Sequence, residues 1–181
     1  MEAGRDKNGG NRWSAGAGIS MWLEFHHDLA DPANKDPVLR LSTHVTCMAV
    51  NNGQTSYDPR FIRDLFPGSD TYQNSALAQL FDVDLDKLDE LPEAKYKLFE
   101  EVSAINHLTK DDVPVLMTYD SEMDTPISRR SIGIHHPRFG KALREKMDSL
   151  GIECEVETGI RPGDARRTKL TMAFVKRHLK P

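Results

Sequence analysis

Three short apolar runs constrain this chain most. THVTCMAV, from Thr43 to Val50, is β-branched and nearly continuously apolar, the pattern of a strand covered on both faces. VPVLMTY, from Val113 to Tyr119, reads as a second buried strand, and Ile152 to Val156 as a third. Helical patterns separate them. Strands alternating with helices imply a parallel sheet with right-handed crossovers. In such a sheet the chemistry gathers where the strands end, here in the loops beginning at Asn51, Asp120 and Thr158.

The helices are read from spacing and from their ends. Ile19, Trp22, Leu23 and His26 recur at helical intervals from Gly16 to about Leu29, and Asp31-Pro32 closes that run. Asp58-Pro59 opens a short helix through Phe66, and a further turn or two falls near Ala76 to Phe81. Pro92 starts a helix to about Val102, with Tyr96 and Phe99 inward. His136-Pro137 opens a long one carrying Phe139, Leu143, Met147 and Leu150 on one side, capped by Gly151. A last helix covers about Arg167 to Leu179.

At 181 residues the chain has room for one domain of ordinary size, placed at 13–181 behind a polar, poorly ordered stretch at 1–12. A net charge of -4 offers no electrostatic case for nucleic acid, and the basic residues from Arg161 to Arg177 read as a solvated helix face. No apolar run approaches a membrane span, and MEAGRDKNGGNR lacks a signal peptide's apolar core, so the expected location is cytoplasmic. Cys47 and Cys154 lie in strand-like runs and read as buried free thiols. Neither CxxC nor HExxH occurs, His26 and His27 read as core-edge and surface residues, and no metal or other cofactor is expected.

Three stretches in order give the chain a likeness. They are SAGAG (14 to 18) with the helix ISMWLEFHHDLADP, then VSAINHLTKDDVPVLMTYDSEMDTPI, then HHPRFGKALREKMDSLGIECEV. From about Trp13 to Leu179 the chain resembles the C-terminal half of an α/β-hydrolase of the carboxylesterase and lipase type, acetylesterases included. The resemblance implies a partial α/β-hydrolase fold: a three-stranded, mostly parallel sheet flanked by helices, without the N-terminal strands. It implies hydrolysis of a small ester by a serine nucleophile.

In that family a strand runs into a G-x-S-x-G turn that lifts the serine above the sheet. The matching residues are Arg12, Trp13, Ser14, Ala15 and Gly16, so the resemblance makes Ser14 the nucleophile and the Ala15 N–H an oxyanion donor. Read from its own residues alone, Ser14 is better described as an ordinary helix N-cap. The resemblance puts the acid at Asp124, with Asp120 and Glu122 as alternates, where local chemistry allows a turn aspartate bonded to its own backbone. The loop around Tyr57 would border the substrate pocket.

Two departures limit the match. The family base falls between the last strand and last helix, but residues 158–168 hold no histidine. His135 and His136, at the start of a helix on the catalytic face, are the substitutes, or else a pair that packs on the acid loop. His178 sits at the far end of the last helix. Upstream strands and the second oxyanion donor are also expected to be missing, which would impair activity and leave the 43–50 strand with an open edge for a second copy or a partner chain. The rival readings are a non-catalytic α/β module binding a partner through that edge and an α/β binding domain unrelated to hydrolases.

Overall fold

Met48–Asn51, Val115–Thr118 and Cys154–Glu157 form the strands β1, β2 and β3 of one open sheet. A computed structural model of the chain describes residues 13–179; the expectations for residues 1–12, and Arg12 with them, lie outside the described residues. The strand order is β1-β2-β3 and both pairings are parallel, with Met48 opposite Val115 and Val115 opposite Cys154. The helices are α1 (Ala15–Phe25), α2 (Pro59–Leu65), α3 (Ser75–Phe81), α4 (Glu93–Glu101), α5 (Arg130–Gly133), α6 (Arg138–Leu150) and α7 (Ala165–His178). Short 3₁₀ turns lie between them.

The pleat explains why β2 reads as continuously apolar. Val115 and Met117 point into a core shared with Met48 and Val50, with Ala17, Met21 and Phe25 of α1, and with Phe139, Leu143 and Met147 of α6. Leu116 is fully buried outside that cluster, and α7, carrying buried Phe174, packs on β1 and β2. Alternate residues therefore face two covered surfaces. No helix among the described residues is long and apolar enough to cross a membrane.

The first strand is shorter than its apolar run. Residues 43–45 spend their backbone donors on side chains: Thr43 N–H donates to Asp28 Oδ1 at 3.0 Å and Val45 N–H to Glu24 Oε2 at 2.9 Å. Cys47 is accordingly only half-buried, while Cys154 on β3 is buried. Helix α1 also stops early, at Phe25 instead of Leu29. Asp28 accepts from its own neighbour Ala30 N–H at 3.0 Å as well as from Thr43, a local alternative to continuing the helix. Two termini keep their expected chemistry. Asp58 caps α2 by accepting from Arg60 N–H, and Gly151 ends α6 in the left-handed region at φ 77°.

The edge of β1 away from β2 is met, among the described residues, by Trp13 alone, through a parallel bridge to Asn51. Trp13 thus delivers the chain to the carboxyl end of the sheet, where α1 begins.

Candidate active site

Ser14 sits between that bridge and α1 with φ 55° and ψ -118°. A side-chain-bearing residue held there carries about 1–3 kcal/mol of strain, which the surroundings must over-determine. They do so from both sides. Ser14 N–H donates to the Asn51 carbonyl at 3.0 Å, and the Ser14 carbonyl accepts from Ala17 N–H at 2.9 Å and Gly18 N–H at 3.1 Å. Ser14 occupies the N-cap position of α1 but makes no side-chain capping bond to the helix. The result is a half-buried hydroxyl raised over the ends of β1 and β2, with the first N–H groups of α1 beside it. Ala15 supplies the first of these.

His135 meets this hydroxyl. Arg129 is extended, α5 makes a single turn, and Gly133 lies so close to Thr71 that a Cβ there would come within 2.0 Å of its Oγ1. Only glycine permits that approach, and it carries the next residues to the sheet end. His135 Nε2 is 2.8 Å from Ser14 Oγ, while Nδ1 is 2.9 Å from the Ser131 carbonyl oxygen. A carbonyl only accepts, so Nδ1 bears the proton. In the neutral ring Nε2 then holds a lone pair, and the Ser14 hydroxyl donates to it.

The one-turn α5 was not expected from sequence, and neither was Gln54. Buried in the loop after β1, Gln54 donates its amide N–H to the Ile134 carbonyl at 2.6 Å and stands 3.5 Å from Ser14 Oγ. It ties the β1 loop to the segment that carries His135. Nothing in a lone glutamine of a polar loop announces that role.

The structure separates the two histidines. His136 is buried, with Nε2 donating to the Thr125 carbonyl at 3.1 Å and Nδ1 accepting from Arg138 N–H at 3.2 Å. Both nitrogens are engaged, and burial holds its pKa below the ordinary histidine value. Of the two readings for this position, packing on the acid loop describes His136, and His135 alone reaches Ser14.

Asp124 is not brought to either imidazole. It is exposed and borders a hollow with Phe66, Asp70, Arg129 and Arg138. The two alternates are committed elsewhere, both to residues 158–168. Asp120 pairs with the buried guanidinium of Arg167, which also donates to the Ile160 carbonyl and lies 5.1 Å from the Trp13 ring centroid. Glu122 accepts from Thr158 Oγ1 at 2.8 Å. His178, on α7, is beside Glu153 at 3.4 Å.

Tyr57 lines an apolar cavity of about 420 Å³ together with Ala15, Ile19, Trp22, Leu77 and Leu80. Burial pushes its phenol up to about 12. Gly18 makes this wall possible, since a Cβ there would fall 2.1 Å from the Tyr57 hydroxyl. Because Ala15 is both the neighbour of Ser14 and part of the lining, the cavity opens beside the serine.

Away from this site, His26 is half-buried at the edge of the core, with its ring against the Trp22 carbonyl and the Glu101 carboxylate. One side-chain donor atom each from His26, Glu101 and His107 lie within 4.8 Å of one another. His26 is 75 residues from Glu101 in the sequence, so no motif spacing could reveal the group.

No family model and no curated protein sequence matches the chain. Solved structures do match. An acetyl ester-xyloside bifunctional hydrolase from Caldicellulosiruptor lactoaceticus superposes with a TM-score of 0.63 at 15% identity, over 91% of this chain and 54% of that one. A truncated carbohydrate esterase from gut microbiota gives 0.52 at 15% identity, over 92% and 57%. The butyrate-bound esterase Est2 from the planctomycete Thermogutta terrifontis gives 0.51 at 13%, over 91% and 54%. This chain therefore spans about half the length of the structures it resembles. The likeness is one of fold: three parallel strands in an open sheet flanked by helices, as in part of an esterase.

Proposed function

We propose that the chain hydrolyses small carboxylic esters, with Ser14 as nucleophile and His135 as its general base. The observation that carries this is the 2.8 Å approach of His135 Nε2 to a serine hydroxyl held at φ 55°. A serine N-cap needs neither the strain nor a histidine whose tautomer is fixed to accept its proton. Esterase-like neighbours support the reaction class.

The reaction divides into two halves. Ser14 Oγ attacks the ester carbonyl carbon as its proton moves to His135 Nε2, and the Ala15 N–H, at the positive end of α1, faces the developing oxyanion. The tetrahedral adduct collapses to an acyl-serine, and Nε2 returns the proton to the departing alkoxide. Water then attacks the acyl-serine, giving Nε2 its proton, and the second collapse restores the Ser14 hydroxyl. Asp124 has no step in this scheme, because the Nδ1–H of His135 is already bonded to the Ser131 carbonyl. The apolar cavity beside Ala15 suits a short acyl chain.

The test is hydrolysis of p-nitrophenyl acetate and butyrate by the purified chain beside Ser14→Ala. Turnover that vanishes in the variant, with a stoichiometric burst in the parent, supports the reading. Equal rates from both proteins would refute it.

A further inference from the structure

We propose that His26, Glu101 and His107 form a binding site for a divalent transition-metal ion of the zinc type, independent of the Ser14 site. The ion would join the end of α1, the end of α4 and the 3₁₀ turn that follows it.

The case rests first on tautomers. His26 Nδ1 lies 2.7 Å from the Trp22 carbonyl oxygen, and His107 Nε2 lies 2.7 Å from the Glu101 carbonyl oxygen. Each carbonyl can only accept, so each of those nitrogens carries its ring's proton. His26 Nε2 and His107 Nδ1 are left as lone-pair donors in the neutral rings. Ligating histidines are oriented in the same way, with the non-ligating N–H on a backbone carbonyl or carboxylate.

The carboxylate supplies the second observation. Glu101 Oε1 is 3.2 Å from His26 Nε2. Between a neutral imidazole nitrogen and a carboxylate oxygen, two acceptors face each other, and a positive charge is needed between them. A proton on Nε2 meets that need for one histidine. A metal ion meets it for all three residues, each of which brings one ligand-capable side-chain atom within 4.8 Å of the others. Tetrahedral coordination with bonds of about 2.1 Å asks for ligand separations of about 3.4 Å, and the 3.2 Å between His26 Nε2 and Glu101 Oε1 is already of that size.

The surroundings favour a cation as well. Glu101 is the last residue of α4, so the site lies at the negative end of that helix. The Glu101 carbonyl also accepts from Trp22 Nε1, which ties the end of α4 to α1. A hollow lined by His26 and His107, with Asp28, Asp111 and Asp112 beside His27 and His44 on its walls, opens the group to solvent. Two imidazoles and one carboxylate leave a fourth position for water, a donor set suited to Zn²⁺ and, spectroscopically, to Co²⁺.

The experiment is calorimetric titration of tag-free, chelator-treated protein with Zn²⁺, paired with the visible spectrum on adding Co²⁺. The expected result is one equivalent bound, a tetrahedral Co²⁺ spectrum, and a melting temperature raised by Zn²⁺. Glu101→Gln and His107→Ala, each checked for folding by circular dichroism, should each weaken binding by about tenfold or more. His135→Ala should bind as the parent does. No saturable binding would overturn the proposal and leave a proton-bridged His26–Glu101 pair. Binding that survives both ligand substitutions, or that is lost with His135→Ala, would overturn it equally.

Discussion

Replacing His135 by Ala and Asp124 by Asn, in parallel, separates a histidine held by a backbone carbonyl from one held by an acid. The imidazole Nδ1–H meets the Ser131 carbonyl at 2.9 Å, and Asp124 is exposed beside Arg129 and Arg138 instead. A carbonyl dipole keeps the tautomer correct but gives the imidazolium less stabilisation than a full negative charge. Where a buried carboxylate fills that place in serine proteases, its neutralisation costs about 10⁴-fold in kcat. A chain using the Ser131 carbonyl lacks that contribution from the outset, so Asp124→Asn should change kcat by less than about twofold. The base itself still contributes about 10²–10⁴-fold. At about 1.36 kcal/mol per decade, His135→Ala should therefore raise the barrier by about 3–5 kcal/mol. Steady-state hydrolysis of p-nitrophenyl acetate measures both variants. A tenfold or greater loss in Asp124→Asn, moving with His135→Ala, would refute the reasoning, because it would mean that Asp124 reaches the imidazole during turnover.

Three further outcomes follow from the geometry. Gly18→Ala should drive the Tyr57 ring into the apolar cavity, since the new Cβ would lie 2.1 Å from its hydroxyl; butyrate ester turnover should fall more than acetate turnover, and parallel losses would count against the cavity as the acyl site. Asp120→Ala leaves the Arg167 guanidinium buried without its counter-charge, at a cost of about 2–4 kcal/mol in urea denaturation, reduced from the fully buried case because the Asp120 side chain is 29% exposed. His136 has its folded-state pKa lowered by burial, so the unfolded chain binds the proton more readily and stability should drop as pH falls through about 6.5. His136→Gln should flatten that slope between about pH 7 and pH 5 in thermal melts, and an unchanged slope would assign it to other groups.

Periodicity and turn chemistry carried much of the architecture. The continuous apolar run VPVLMTY marks β2 because both faces of that strand are covered, and Asp58-Pro59 and Gly151 mark helix ends because capping is local physics. The boundaries that moved did so for tertiary reasons. Thr43 and Val45 have strand-like residues around them, yet their donors go to Asp28 and Glu24 side chains that only the folded chain places nearby.

The site divides along the same line. Small residues after Ser14 signalled a serine at a helix start, but its φ of 55° depends on the Asn51 carbonyl and the bridge from Trp13. The sequence offered adjacent His135 and His136 without a reason to choose. The turn of α5 and the close fit of Gly133 on Thr71 aim one ring at Ser14, while the other is consumed by Thr125 and Arg138. His26, Glu101 and His107 had no mutual signature at all. Local patterns report what a residue does to its own backbone and neighbours. Which side chains share a few ångströms after a long loop closes is set by packing, and the catalytic and metal-binding groups proposed here are of that second kind.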